Sequence, residues 1–223
     1  MSDLLDCIEI GPEAGEANAA VIWLHGLGAD GHDFEPIPPM LGLPKARFIL
    51  PHAERRPVTI NGGMVMRAWY DILSLDFTGV RESEPDIRRS QAQIEALIER
   101  ERARGVASEK IVLVGFSQGG AMALHTGLRW REPLAGIVVL SAYLLMGEQL
   151  AAEATDANAS TPMLFCHGRQ DPMVPIWLGK AAHDQVKALA SARAMQWYDY
   201  PMPHAVCPEE LAEIARFLHA RIA

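Results

Sequence analysis

Cysteine is scarce in this 223-residue sequence, which holds only Cys7, Cys166 and Cys207. An odd, scattered set has neither zinc-site spacing nor the look of a disulfide framework, so a reducing compartment and no metal are expected. Positive charge is also short: 20 Lys and Arg face 28 Asp and Glu, for a net charge of −8. That balance argues against nucleic acid as the main partner, because phosphate binding needs a positive face. Long apolar runs are missing too. The longest, Leu134 to Met146, falls short of the ~18 residues a membrane span needs. The opening Met1-Ser2-Asp3-Leu4-Leu5-Asp6 lacks the basic and apolar regions of a signal peptide, so a cytoplasmic protein is expected. No repeat, low-complexity tract or linker divides the chain, and residues 1–223 are expected to form a single domain. Its 49% hydrophobic content is enough to build a core without a metal or disulfide staple.

Short apolar runs recur, each followed by a loop and a helical pattern. The runs are Ala20–Leu24, Arg47–Leu50, Ile111–Val114, Gly136–Leu140, Pro162–Cys166 and Met195–Tyr200. Those at 111–114 and 136–140 are apolar on consecutive residues, which suits parallel strands buried on both faces. Helical patterns cover Pro85–Arg104, Gln118–Trp130, Ile176–Ser191 and Pro208–Ile222. The last opens with Pro208-Glu209-Glu210, a helix-start signal. Strands alternating with helices predict an α/β fold, a mostly parallel central sheet with helices on both faces. In such sheets the site lies beyond the carboxyl ends of the strands.

One such end carries Gly115-Phe116-Ser117-Gln118-Gly119, a G-x-S-x-G pattern between a predicted strand and a predicted helix. A sharp strand-to-helix turn of this kind exposes the serine Oγ, and the flanking glycines avoid clashes. Ser117 is therefore the candidate nucleophile. The amide of Gln118, at the helix N-terminus, is a candidate donor to a developing oxyanion.

Serine needs a base, and in proteins with such an elbow the chain order is Ser, acid, His. Of the eight histidines, His167 precedes the candidate acid, while His183 and His219 lie in amphipathic helices where solvated histidines are ordinary. His204 sits in Tyr200-Pro201-Met202-Pro203-His204-Ala205-Val206-Cys207-Pro208, a stretch whose prolines forbid helix. It lies between the last strand and the last helix and is the candidate base. Asp171, in the loop His167-Gly168-Arg169-Gln170-Asp171-Pro172, is the candidate acid that orients the imidazole. Asp199 is its rival, but it lies within a strand run and close to His204 in the chain.

After the first strong strand comes His25-Gly26-Leu27-Gly28-Ala29-Asp30-Gly31. Such a glycine-rich loop can supply a second oxyanion N–H, with Leu27 the candidate donor. A phosphate loop is the weaker alternative, because no Lys-Ser/Thr follows. His25 reads as structural. Met64, Val65, Met66, Trp69, Ile72, Leu73, Leu75 and Phe77 crowd a stretch with no clear helix or sheet role. Asn61-Gly62-Gly63 and Thr78-Gly79 bound it. The segment reads either as a lid or groove wall for an acyl chain or as ordinary core cover. On the first reading Met64, Trp69 and Leu73, together with Val174 beyond Asp171, contact substrate. The cysteines read as buried and inert.

These segments together resemble the carboxylesterase and acyl-protein thioesterase family of α/β-hydrolases. The most specific stretches are Trp23 to Asp33, Pro57 to Gly63, Arg67-Ala68-Trp69-Tyr70-Asp71 and Gly115 to Gly120. His167-Gly168 leading to Asp171-Pro172, and His204 ahead of Glu209-Glu210, close the set. The resemblance implies Ser117 as nucleophile, Asp171 as orienter, His204 as base, and oxyanion amides at Leu27 and Gln118. It implies hydrolysis of carboxylic esters or thioesters of small acyl substrates, with no cofactor or metal, and a homodimer. One departure is Ala205, where relatives often carry serine. A peptidase or acyltransferase with the same residues is a second reading, and a silent ligand-binding member of the fold is a third.

Overall fold

The computed structural model describes residues 4–76, 79–190 and 193–223. Phe77, Thr78 and Ser191, which end predicted segments, lie outside the described residues, as do Met1 to Asp3. Strands β1 (Cys7–Ile10), β2 (Ala19–Leu24) and β3 (Ala46–Pro51) come first. Two hairpins follow: β4 (Arg55–Val58) with β5 (Met64–Arg67), and β6 (Ile72–Asp76) with β7 (Gly79–Glu82). Next come helix α1 (Glu84–Ala103), β8 (Ile111–Phe116), α2 (Gln118–Arg129), β9 (Gly136–Leu140) and the single turn α3 (Leu150–Glu153). The chain closes with β10 (Met163–Gly168), α4 (Ile176–Leu189), β11 (Met195–Tyr200) and α5 (Pro208–Ile222).

Seven strands form one sheet in the order β1-β3-β2-β8-β9-β10-β11. Only β1 runs antiparallel to its neighbour. The runs of consecutive apolar residues become the central strands because both faces of the sheet are covered. On one face Ile22, Leu24 and Leu113 pack with Ile94 and Leu97 of α1, Leu124 of α2 and Val186 of α4. On the other, Val21, Val114 and Leu140 pack with Ile214, Phe217 and Leu218 of α5. This is an α/β-hydrolase fold. Strand β8 is central, so its carboxyl end opens onto the middle of the sheet edge.

The apolar stretch after residue 61 departs from expectation, since it is built of hairpins. Gly62 and Gly63 take φ of 66° and 79° and turn β4 into β5. Edge strand β4 contains Pro57, which a central strand would not tolerate. No helix among the described residues is long and apolar enough to cross a membrane.

Candidate active site

Ser117 stands between β8 and α2 with φ 55° and ψ −122°. A non-glycine residue there is strained and is held by its surroundings. Its N–H donates to the Leu140 carbonyl at 2.8 Å. A Cβ at Gly119 would sit on the carbonyl oxygens of Leu24 and His25, so glycine lets α2 press against the end of β2.

The structure brings Ser117, His204 and Asp171 together. His204 Nε2 is 2.8 Å from Ser117 Oγ, and His204 Nδ1 is 2.6 Å from Asp171 Oδ2. A carboxylate only accepts, so the Nδ1 proton points at Asp171 and the Nε2 lone pair is left for the serine O–H. The Asp171 side chain is fully buried. Its other oxygen accepts from the N–H groups of Met173 and Val174, both at 2.8 Å. The loops bearing Asp171 and His204 are tied together: Arg169 N–H donates to the Tyr200 carbonyl at 2.8 Å and Gln170 N–H to the Met202 carbonyl at 3.1 Å. The Phe116 ring lies 4.7 Å from the imidazole, centroid to centroid.

The other titratable candidates are engaged elsewhere. Asp199 accepts from Arg169 at 2.8 Å and from the Trp197 indole at 3.0 Å. His167 donates to the Val174 carbonyl at 2.7 Å and His219 to the Leu41 carbonyl at 2.9 Å. His25 is buried, accepts the Ala53 N–H at 3.0 Å through Nε2 and donates through Nδ1 to the Gly26 carbonyl. Burial pushes its pKa down to about 4. It is a neutral strut below the glycine loop. Burial raises the thiols of Cys7, Cys166 and Cys207, which leaves them poor nucleophiles at neutral pH.

Leu27 and Gln118 both line the cavity into which Ser117 opens. Gln118 is the first residue of α2, so its backbone N–H has no partner within the helix. The Leu27 loop is pinned by the Gly28 N–H, which donates to the Arg67 carbonyl at 2.9 Å. The Gln118 side chain has a task the sequence did not reveal. Its Oε1 accepts from Trp69 N–H at 2.8 Å and its Nε2 donates to the Tyr70 carbonyl at 2.7 Å. The elbow thereby holds the chain that forms one wall of the cavity.

That cavity has a volume of about 730 Å³. Val174 lines it, but Met64, Trp69 and Leu73 do not. Met64 is 64% exposed, at the turn end of β5, and Leu73 is 43% exposed. Trp69 is wholly buried and its indole N–H donates to the His25 carbonyl at 2.9 Å. The lining residues from this stretch are Met66, Tyr70 and Ile72. Met66 lies one pleat further from the tip than Met64. Ile72 is buried against the cavity, whereas Leu73, at an irregularity in the β6–β7 register, is turned to solvent.

Behind the His204 loop, Glu210 is fully buried at the start of α5. The Cys207 amide approaches it, yet neither oxygen meets a partner in full hydrogen-bond geometry. Burial pushes its pKa up to about 8. Between the ordinary carboxylate range and that value, the folded chain keeps a proton that the unfolded chain releases. Stability therefore falls as pH rises through this window. Glu210→Gln is neutral at every pH and is expected to remove this group's contribution to the slope. Its advantage over the wild type should grow by roughly 1.4 kcal/mol per pH unit. Urea unfolding at pH 5, 6.5 and 8 checks this, and parallel stability curves for the two proteins would contradict it.

Comparison with known proteins places this geometry in a family. The phospholipase/carboxylesterase family matches residues 5–222. The chain is 40% identical to acyl-protein thioesterase 1 of Gibberella zeae, over 95% of this chain and 94% of that protein. It is 35% identical to acyl-protein thioesterase 1 of Mycosarcoma maydis, over 96% of each. Among solved structures, Arabidopsis thaliana SOBER1 superposes with a TM-score of 0.86 at 30% identity, covering 93% of this chain and all of that one. Zea mays acyl-protein thioesterase 2 gives 0.85 at 28% identity, covering 98% and 99%. The chain thus belongs to the phospholipase/carboxylesterase family of α/β-hydrolases, whose chemistry is ester hydrolysis, and it is a hydrolase.

Proposed function

We propose that the chain is a serine carboxylesterase acting on acyl esters and thioesters through Ser117, His204 and Asp171. The observation that carries this is the continuous hydrogen-bond line from Asp171 through His204 to Ser117, ending at the mouth of an apolar cavity. His204 Nε2 takes the Ser117 proton as Oγ bonds to the acyl carbon. The carbonyl oxygen becomes an oxyanion and accepts from the Leu27 and Gln118 N–H groups. Asp171 holds the tautomer and stabilises the imidazolium. The proton passes to the departing alkoxide or thiolate, leaving an acyl-serine. Water, deprotonated by the same imidazole, then attacks the acyl-serine carbonyl, and Ser117 regains its proton as the carboxylic acid leaves.

The thioester half of the proposal draws on the relatives that bear the name acyl-protein thioesterase. An ester and a thioester present the same acyl carbonyl to Ser117, so one mechanism serves both bond types. Turnover of p-nitrophenyl butyrate and of a matched butyryl thioester tests the proposal. Both are expected to be hydrolysed, with one Ser117-dependent activity. Failure to hydrolyse either ester would overturn it.

A further inference from the structure

Two residues that line the catalytic cavity, Tyr143 and Leu178, also line a second cavity. That one measures about 420 Å³, and its other walls mix the apolar Ile87, Leu144 and Met146 with the carboxylates of Glu82, Glu84 and Glu148. The two spaces are divided by one side chain from the loop after β9 and one from α4. Tyr143 is 8% exposed. It is fixed at its far end, where its hydroxyl lies 2.9 Å from that of the fully buried Tyr70, and the Glu82 carboxyl on β7 approaches it.

A phenol held at its far end is a stiff wall, whereas an alkyl side chain at the same place would turn aside for a guest. A buried Tyr usually needs a partner for its hydroxyl. Here the partner, Tyr70, comes from outside the Tyr143 loop, so moving the ring would strand the Tyr70 hydroxyl as well as that of Tyr143. The space behind the ring is not filled by protein. Tyr143 belongs to the buried apolar cluster on this face of the sheet and borders the second cavity as well.

We propose that Tyr143, with Leu178, is the end wall of the acyl pocket and sets the longest acyl chain that the enzyme accommodates. The proposal rests on the esterase reading above. In that reading the acyl chain runs from Ser117 into the cavity, and its terminal carbons meet the Tyr143 ring. Each methylene that enters an apolar pocket adds about fourfold to kcat/KM, and each one stopped by the wall adds nothing.

The test is kcat/KM over p-nitrophenyl esters from acetyl to palmitoyl, below their micelle concentrations, for the wild type, Tyr143→Ala and Leu178→Ala. The wild-type profile is expected to climb and then break. In both variants the break should move to longer chains. The ratio of rates for an ester two carbons past the wild-type break to the butyryl ester should rise about 15-fold. Unmoved breaks, with butyryl hydrolysis retained, would overturn the proposal and leave the esterase reading intact. No hydrolysis of any ester by the wild type would end that reading and the proposal with it. If Tyr143→Ala fails to fold, Leu178→Ala decides from the other side of the wall.

Discussion

Ser117→Ala is expected to lower kcat/KM for butyryl esters by a factor of about 10⁵ to 10⁶, with the fold unchanged. The size follows from the role. Without Oγ there is nothing to acylate, and only binding and the oxyanion donors remain to assist water. The fold is expected to survive because alanine keeps the Cβ, and with it the same strained φ of 55°. The Ser117 N–H still donates to Leu140. Only the hydroxyl bond to His204 is lost, worth about 1 kcal/mol. Unfolding midpoints for the two proteins should therefore nearly coincide. Full activity in the alanine variant would remove Ser117 from the mechanism. Loss of activity together with loss of folding would assign it a structural role instead.

Asp171→Asn is expected to cost about 10³ to 10⁴ in kcat with little change in KM. The amide fits the same space, and its oxygen still accepts the Met173 and Val174 N–H groups. Its NH₂ group then faces His204 Nδ1, which must become an acceptor. The ring proton moves to Nε2 and points at Ser117, so the base no longer has a lone pair where it is needed. The chain's other carboxylate near this loop, Asp199, is held by Arg169 and Trp197 and does not substitute. A fall of less than tenfold, measured on folded protein, would contradict this assignment.

What could be read from the sequence divides along physical lines. The central strands were legible because burial on both faces leaves an uninterrupted apolar run, as in Ile111–Val114 and Gly136–Leu140. The elbow and the prolines around His204 were legible because backbone constraint is written in Gly and Pro. Strand β1 and hairpins β4–β5 and β6–β7 were not predicted. Cys7–Ile10 is a short edge strand, and β4, with two arginines and a proline, has no apolar face of its own. The Asn61-Gly62-Gly63 turn was the available hairpin signal, but it was read only as the boundary of the apolar stretch.

Of the candidate acyl contacts, Val174 lines the cavity beside Ser117, whereas Met64, Trp69 and Leu73 do not, and their neighbours Met66, Tyr70 and Ile72 do. Which face of a hairpin meets the cavity depends on where the hairpin docks, and local pattern does not carry that. The same holds for the side chain of Gln118, the Tyr70–Tyr143 pair and the unpartnered Glu210. Each involves groups brought together only by the folded chain, or a burial that only the fold imposes.

The central claim is that Ser117 is the residue that becomes acylated. The most direct measurement is peptide-mapping mass spectrometry after treatment with a fluorophosphonate, run beside the hydrolysis assay on the same sample. One adduct per chain is predicted on the peptide carrying Ser117, with activity lost in step and no adduct on Ser117→Ala. An adduct on another residue, or full inactivation with Ser117 unmodified, would contradict the account.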